Sequence, residues 1–497
     1  MGLCRVSGVL LLLFLCKVVQ GAHILALFSS LSYSDHLVFR GYVSLLAQRG
    51  HSIVIMTPYP GHFQHPDVER IVELDVGKES APFWDEFKNL VSNTDDYYPR
   101  IRAMNEHSLK LAIAQLKSKQ MTALFINPNI KFDLVVTEAD VPVLYAAADK
   151  YQAPHIALTT SSGKLHQYEA KGVPVNPILY PDVNTHSYEN LSSWQKVTEF
   201  RRYYQSKNEY YNNYLPLSDL AAKKILGLKR DLLEVEKDID MLFVANSPLL
   251  VGNRPVVPAV AFVDRMHIKP GFNLPQELQA MLDAATKGII YFSLGAIQES
   301  EQLSPHMLQT LTDAFKELPY TVLWKIANTT MINKPDNVIS SAWFPQQQVL
   351  EEAVFYQVPI IGLPLIQSRK LFIREITKHG AGEILDSYYL DKETVKAVKS
   401  ISKLREAVVD PIISGPENAL LWTDYVLKNR GASKLRSPAV GTTFIRYYML
   451  DFISFVLVIG LGAVYLIYAM LRLIVRRLLG FSFRKRDAGS KGKFKAL

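Results

Sequence analysis

Cysteine, the side chain behind disulfides, thiol nucleophiles and many zinc sites, occurs only at Cys4 and Cys16. Both lie in or beside the apolar run 9–16, which a basic residue precedes and small residues follow. This layout is typical of a secretory signal peptide over residues 1–21. The alternative is a first buried strand or helix, but residues 23–28 already provide a strand. Cleavage would leave a mature chain without a thiol, which excludes disulfides, cysteine nucleophiles and cysteine-based zinc sites.

The common glycine-rich phosphate motifs are absent from the sequence. No G-x-G-x-x-G and no Walker A loop opens a helix, which argues against a nicotinamide enzyme and a P-loop nucleotidase. We expect no metal ion and no resident cofactor. Two N-glycosylation sequons occur, N-L-S at Asn190 and N-T-T at Asn328, and both suit a luminal location.

The net charge of +8 over 497 residues is concentrated at the C-terminal end. Residues 472–497 hold nine Lys and Arg and one Asp, so the rest of the chain is balanced. A nucleic-acid-binding domain carries its basic excess on a folded face. Nucleic acid is therefore excluded as the expected partner.

A second apolar segment, 452–471, runs for twenty residues without a charge, which is long enough to cross a bilayer as a helix. Tyrosines precede it and the basic tail 472–497 follows it, so we predict a transmembrane helix with its aromatic flank at 447–471 and a cytosolic tail. Residues 23–451 would then face the lumen, a type I arrangement. The alternative is a buried core helix.

The last residues suggest a particular membrane. Lys493 and Lys495 stand fifth and third from the end, which resembles the dilysine retrieval signal of endoplasmic-reticulum membrane proteins. The alternative is a solvated basic tail. We predict the endoplasmic reticulum membrane as the location.

Between the signal and the span, short β-branched runs alternate with helical patterns, as in parallel sheets wound by helices. In the first half we predict strands over 24–29, 52–57, 132–137 and 154–160 and helices over 37–48 and 143–150. In the second half we predict strands over 241–245, 288–294, 322–326 and 358–363 and helices over 304–316, 369–378 and 392–404. The proline-rich stretch 247–274 separates two α/β domains, 22–247 and 248–446.

A set of strings in chain order carries a family resemblance. They are LLAQRGH at 45–51, FDLVVTE at 132–138, GIIYFSLG at 288–295, VLWK at 322–325, KPDNV at 334–338, WFPQQ at 343–347, VPIIGLP at 358–364, WTDYV at 422–426 and LRSPAV at 435–440. Each string alone is weak, but the ordered set closely resembles the membrane-bound UDP-glycosyltransferases of animals, particularly the insect type.

The resemblance implies a GT-B fold of two doubly wound, Rossmann-like domains with a C-terminal transmembrane helix. It implies inverting transfer of a hexosyl group from a UDP-sugar, the co-substrate, to a small lipophilic acceptor, as in detoxification. The acceptor would bind the N-terminal domain and the UDP-sugar the C-terminal domain. A homodimer or heterodimer is compatible with it.

In the family, a histidine oriented by a carboxylate takes the proton of the acceptor hydroxyl. Asp35 stands at the position of that histidine, His36 follows it, and Glu138 stands where the carboxylate is expected. Adjacent helical residues point about 100° apart, so His36 does not simply inherit the role. We hypothesise that Asp35 approaches Glu138 and that their charges raise one pKa, which creates a carboxylate base. Alternatively, Ser34 or Asp35 only caps the following helix.

The resemblance also implies donor-site residues in the second domain. They are Trp343 stacked on uracil, Gln346 on the nucleoside, Glu352 on the ribose, Lys325 near the donor, and Ser368 with Arg369 where the family has an Asp-Gln pair for the sugar. For any one of these positions the alternative is a core aromatic or a solvated polar side chain.

A segment of the family pattern is missing after Leu350. A strand and a glycine-rich loop that holds the diphosphate, on the order of fifteen to twenty residues, are expected between Leu350 and Glu352. We therefore predict a glycosyltransferase with a degraded donor site. Two alternatives stay open: a non-catalytic GT-B-like binding or partner subunit, and a truncated product of an active glycosyltransferase gene.

Overall fold

The computed structural model describes residues 21–61, 63, 66–92, 97–181, 191–267, 275–293, 304–326, 334–341, 344, 360–362, 377, 382–384 and 414–490. The predicted signal peptide lies outside this range except for its last residue. The predicted helix 392–404 and almost all of the predicted helix 369–378 also lie outside the described residues.

The strands, in chain order, are β1 His23–Leu27, β2 Ser52–Thr57, β3 Ile71–Asp75, β4 Leu134–Glu138, β5 His155–Thr159, β6 Met241–Val244, β7 Val260–Phe262, β8 Ile289–Phe292, β9 Thr321–Lys325, β10 Val338–Ser341, β11 Ile360–Gly362 and β12 Gly382–Ile384.

The α-helices are α1 Tyr33–Gln48, α2 Gly77–Ser80, α3 Trp84–Ser92, α4 Tyr97–Leu116, α5 Lys119–Ile126, α6 Ala146–Tyr151, α7 Leu165–Ala170, α8 Ser193–Glu209, α9 Leu215–Leu226, α10 Leu232–Asp238, α11 Pro248–Val251, α12 Gln276–Ala284, α13 Pro305–Glu317, α14 Gly415–Asn429, α15 Phe444–Tyr447 and α16 Leu450–Ser490. A π-helical turn, Tyr210–Tyr214, joins α8 to α9, and 3-10 turns lie at Pro66–Arg70, Ala81–Phe83, Pro142–Tyr145 and Ser433–Leu435.

The first seven strands form one parallel sheet in the order β3-β2-β1-β4-β5-β6-β7. Its central strands are buried along their whole length, as expected of a parallel sheet that helices cover on both faces. The predicted α/β class is confirmed. The sequence placed 241–245 in the second half of the chain, whereas β6 lies in this first sheet.

A separate parallel sheet has the order β10-β9-β8, and β11 pairs in parallel with β12. The core of the β10-β9-β8 sheet is aromatic. Trp324 is fully buried there, and its ring centroid lies 5.2 Å from that of Phe292 and 5.3 Å from that of Phe315. Helix α13, which begins at the N-cap Ser304, contributes Phe315 and Leu311 to this cluster. The β10-β9-β8 sheet and helix α13 therefore share a hydrophobic core that is separate from the core of the first sheet.

Late segments return to the first sheet. Strand β7 completes its edge, and α14 packs on both β7 and α1. The Asn418 side-chain amide donates to the Phe262 carbonyl over 2.8 Å. Both β7 and α14 follow residue 247, where we predict the N-terminal domain to end, and that domain boundary stays a prediction.

Residues Gly441–Leu497 form a second structural unit. Its long helix α16 contains one segment, Leu450–Arg477, of 28 residues that is long and apolar enough to cross a bilayer, and none of it is buried. The predicted span 447–471 overlaps this segment. Tyr447 belongs to the short helix α15 before it.

Candidate active site

Three neighbouring strands end together at one edge of the first sheet. Strand β1 is followed by Ser29 and Ser30, β4 ends at Glu138, and β5 is followed by Thr160. Because all strands of a parallel sheet end at the same edge, these side chains converge where α/β proteins commonly bind ligands. Helix α1 begins after β1 and brings Asp35 to the same place.

Asp35 lies in the first turn of α1 and is half-buried. Its Oδ2 accepts from the Ser30 hydroxyl and its Oδ1 from the Thr160 hydroxyl, both over 2.9 Å. The N-cap of α1 is Ser32, whose Oγ accepts from the Asp35 backbone N–H over 3.4 Å. The alternative that Ser34 or Asp35 caps this helix is therefore wrong, because Ser32 does so and the Asp35 carboxylate is used elsewhere.

Glu138 is buried, with 7% of its surface exposed. Its Oε2 accepts from the backbone N–H groups of Ser29 and Ser30, each over 2.9 Å. Ser30 therefore joins the two carboxylates: its N–H donates to Glu138 and its hydroxyl donates to Asp35. The structure brings together the two acidic residues that the sequence singled out.

Burial raises the pKa of Glu138 to about 8, and the nearby charges of Asp140 and Asp35 raise it further. The hydrogen bonds from the two backbone N–H groups act in the opposite direction and lower it. Burial also raises the pKa of Asp35, opposed by the hydrogen bonds from Thr160, Ser30 and Ser32. The nearby charges act in the direction that the hypothesis assumes, and the carboxylate base itself stays a prediction. Burial is the larger cause, however, and Asp140 acts more strongly on Glu138 than Asp35 does.

Asp140 is the one of these three acids whose pKa is lowered. Burial alone would raise its pKa, but the Lys164 ammonium at 3.0 Å and the Thr159 hydroxyl at 3.1 Å outweigh that effect and lower it. A carboxylate held ionised beside Glu138 favours the protonated form of Glu138. The three acids therefore differ in their readiness to hold a proton.

His36 is fully buried, and its ring nitrogens contact Ser30 and Thr57. Its Nε2 lies 2.7 Å from the Ser30 carbonyl oxygen and its Nδ1 lies 3.3 Å from Thr57 Oγ1. Since a carbonyl oxygen only accepts, Nε2 carries the proton and donates. Burial lowers the pKa of His36 to about 3. A neutral, fully bonded imidazole supports the Ser30 loop, which agrees with the expectation that His36 does not inherit the base position.

The family model described as "UDP-glucoronosyl and UDP-glucosyl transferase" matches residues 24–485 of the chain. The chain belongs to this family. The sequence resemblance to UDP-glycosyltransferases and the predicted GT-B class, with parallel α/β sheets, are therefore confirmed.

Relatives in this UDP-glycosyltransferase family cover nearly the whole chain. UDP-glucosyltransferase 2 of Dactylopius coccus is 28% identical and covers 89% of this chain and 91% of its own. An ecdysteroid UDP-glucosyltransferase of Spodoptera littoralis nuclear polyhedrosis virus is also 28% identical, with 86% and 93% covered. UDP-glucuronosyltransferase 1-2 of Mus musculus is 24% identical, with 94% and 95% covered.

Among solved structures, the glycosyltransferase SnogD from Streptomyces nogalater matches with a TM-score of 0.49 and 15% identity, covering 82% of this chain and all of its own.

The part of the chain in which the family resemblance implies the donor site is described only in part. Lys325 ends β9, where it pairs in register with Ser341 of β10. It therefore stands at the carboxyl edge of the second sheet, where a ligand of that sheet is expected. The other predicted donor residues, Trp343, Gln346, Glu352, Ser368 and Arg369, and the junction after Leu350 lie outside the described residues, as do Asn190, Asn328, Lys493 and Lys495.

The sequence reasoning missed Ser30, Asp140, Thr160 and Lys164. Their signal was available in outline: Ser29 and Ser30 follow one buried strand, and a second acid follows Glu138 two positions later. Polar residues directly after neighbouring parallel strands meet at one sheet edge. The sequence alone does not give the order of the strands, which decides that these residues meet.

Proposed function

We propose that this chain transfers a hexosyl group from a UDP-sugar to the hydroxyl of a small lipophilic acceptor, with inversion at the anomeric carbon. Family membership supports the reaction class, and the names of the relatives, UDP-glucosyl and UDP-glucuronosyl transferases, support the donor class. The observation that carries the proposal for this chain is the hydrogen-bonded pair of carboxylates, Asp35 and Glu138, joined by Ser30.

In the proposed reaction Asp35 is the base. The acceptor O–H proton passes to the Asp35 carboxylate as the acceptor oxygen forms a bond to the anomeric carbon. The bond between that carbon and the diphosphate oxygen breaks on the opposite face, and UDP leaves with the electron pair. A positioned general base of this kind contributes about 10²–10⁴-fold to the rate.

The surroundings of Asp35 support this division of roles. Glu138, with its pKa raised to about 8, is mainly protonated at neutral pH. In this form Glu138 carries no negative charge beside Asp35, so it does not oppose the ionised form of Asp35 that accepts the proton. Pairs of acids whose surroundings separate their pKa values are a recurring feature of catalytic sites.

The membrane setting is part of the same proposal. The apolar segment Leu450–Arg477 would anchor the protein, and the basic residues after it would lie in the cytosol. The parallel sheets would then lie in the lumen of the endoplasmic reticulum, where Asn190 and Asn328 can accept glycans.

The Asp35→Asn variant tests the base. We expect kcat/KM for a lipophilic phenol with UDP-glucose or UDP-glucuronate to fall at least about 100-fold. The exposed Asp424→Asn serves as the control and should keep its activity. Asp35→His should restore activity with a pH–rate profile that rises near pH 6.5, the ordinary pKa of histidine. A wild-type profile retained in Asp35→Asn would eliminate Asp35 as the base.

A second candidate is a non-catalytic binding or partner subunit. The sequence feature that favours it is the missing glycine-rich segment after Leu350, which holds the diphosphate in the family. Isothermal titration of UDP into the full chain, done in parallel with the transfer assay, separates the two. UDP binding without transfer in the wild type supports the subunit, whereas transfer that Asp35→Asn abolishes supports the enzyme. Neither binding nor transfer would point to a truncated product.

A further inference from the structure

Helix α8 carries an apolar stripe on the face that points away from the protein. Its most exposed apolar side chains are Trp194, Val197, Phe200 and Tyr204. At about 100° per residue these four positions fall within an arc of about 120°. The opposite face is buried through Glu199 and Glu209. Helix α8 therefore exposes to solvent a stripe of apolar side chains, which a surface helix normally buries against the protein core.

The charges on α8 are separated in the same way. Both of its acids are buried, Glu199 at 3% and Glu209 at 2% exposure. Glu199 pairs with Arg202 over 2.6 Å. The exposed charged residues are Lys196 and Arg201, both basic. Within the part of the chain that the structure describes, no carboxylate lies within 4 Å of the Arg201 guanidinium. The outer face is therefore both apolar and positively charged.

A groove continues this face toward the end of the helix. It has a volume of about 720 Å³ and is lined by three tyrosines, two cations and three side-chain amides. Tyr204 of the stripe and the exposed Arg201 both line the groove. Tyr211 and Asn212 come from the π-helical turn Tyr210–Tyr214, an irregularity that is frequent at functional sites in helices.

Contacts connect α8 to the point where the chain leaves the first structural unit. Lys207 and Tyr203 hold the two carboxylate oxygens of Glu169 over 2.6 and 3.1 Å. Three residues later, the Gly172 carbonyl accepts from the Ser437 hydroxyl over 3.5 Å. The first unit ends at Val440. Only residues 441–449 separate Val440 from the apolar helix, and nine residues span at most about 30 Å.

We propose that the outer face of α8 lies in the interface of the bilayer and that its groove takes the phosphate of an anionic phospholipid. Tryptophan, tyrosine and phenylalanine combined with lysine and arginine are the composition that interfacial helices use, with the apolar face about 5–10 Å into the headgroup and acyl boundary. The exposed positive charge complements anionic lipid, and only residues 441–449 separate the first unit from the apolar helix.

The test uses the full chain in proteoliposomes, with Cys4 and Cys16 replaced by serine and a nitroxide label on Val197→Cys. The matched control is Val72→Cys on edge strand β3, because Val72 and Val197 are almost equally exposed, at 55% and 54%. Collisions with oxygen and with a water-soluble nickel chelate report immersion. We expect nickel-chelate access at residue 197 to be at least about threefold lower than at residue 72, with higher oxygen access.

The lipid phosphate is tested by composition and by Arg201→Gln. Immersion of the label at residue 197 should be deeper with phosphatidylserine than with phosphatidylcholine alone, and Arg201→Gln should remove that difference. Equal water access at residues 197 and 72 in both lipids overturns the proposal. Protection that depends on protein concentration and shows spin–spin broadening would assign the face to a second copy of the chain and would also overturn it.

Discussion

Ser30 uses every polar group that it has within the acidic cluster. Its N–H donates to Glu138, its hydroxyl donates to Asp35, and its carbonyl accepts from His36. The same hydroxyl accepts from the Ser32 N–H over 3.0 Å. Because one residue bonds to three ionisable groups through its backbone and its hydroxyl, a change in the protonation of one group alters the hydrogen bonding of the others. Ser30 therefore positions the proposed base as much as the start of α1 does.

Substitutions of His36 distinguish a structural role of this residue from a role as the general base. His36→Gln keeps a donor near the position of Nε2, so we expect the bond to the Ser30 carbonyl to persist, kcat/KM to change less than about threefold, and the pH–rate profile to stay the same. His36→Ala removes the donor and opens a cavity, and we expect a loss of about 2–4 kcal/mol in the free energy of unfolding. If folded His36→Gln instead loses turnover by about 100-fold or more, the size expected for loss of a general base, His36 is the base.

The elements that hold the site come from distant parts of the sequence. Helix α14 reaches α1 through the Tyr42 hydroxyl, which lies 2.7 Å from Thr423 Oγ1, and both side chains are fully buried. Thr423 already donates its own proton to the Ala419 carbonyl over 2.7 Å, so Tyr42 is the donor in this contact. Helix α1, which carries Asp35, is therefore held in part by a segment nearly 400 residues later.

The direction of this hydrogen bond predicts an asymmetry between two substitutions. Thr423→Val leaves a buried Tyr42 hydroxyl without an acceptor, and we expect it to cost about 1–3 kcal/mol. Tyr42→Phe leaves Thr423 with its bond to Ala419 intact, so it should cost less, about 1 kcal/mol or below. Urea unfolding of both variants and of the double variant measures the difference. Equal losses in the two single variants would contradict the assigned donor.

Most buried strands were predictable, whereas an edge strand, a short strand and the long helices α4, α8 and α14 were not. The sequence predicts β2 with its observed bounds and places β1, β4, β5 and β9 within two residues, because buried β-branched runs bounded by polar residues mark them. It misses β7, which has three residues among prolines, and β3, an edge strand that is largely half-exposed. Asp35 and Glu138 were found through the family resemblance, whereas Ser30 and Asp140 required the strand order, which depends on long-range packing.

Across the whole molecule, several ionisable groups are buried with shifted pKa values. Burial lowers the pKa of His36, His155 and His166 to about 3 in each case. Burial raises the pKa of Glu138 to about 8 and of Glu236 to about 7. The folded state therefore binds fewer protons than the unfolded state at the histidines and more at the glutamates. The two classes oppose each other between about pH 4.5 and 6.5.

Below pH 4.5 these glutamates are protonated in both the folded and the unfolded state, so of the two classes only the histidines still affect stability. Here the unfolded histidines are protonated and the folded ones are not, so the free energy of unfolding should fall as the pH falls from 4.5 toward 3. Each histidine contributes about 1.4 kcal/mol per pH unit. His166 stacks on Tyr210 with ring centroids 3.8 Å apart, a contact that His166→Phe can keep. The free energy of unfolding is measured by urea unfolding of the detergent-solubilised chain at several pH values. We expect His166→Phe to reduce its slope against pH by the contribution of one histidine. The same substitution at the exposed His306 is the control, and an unchanged slope in His166→Phe would show that His166 is not held neutral by the fold.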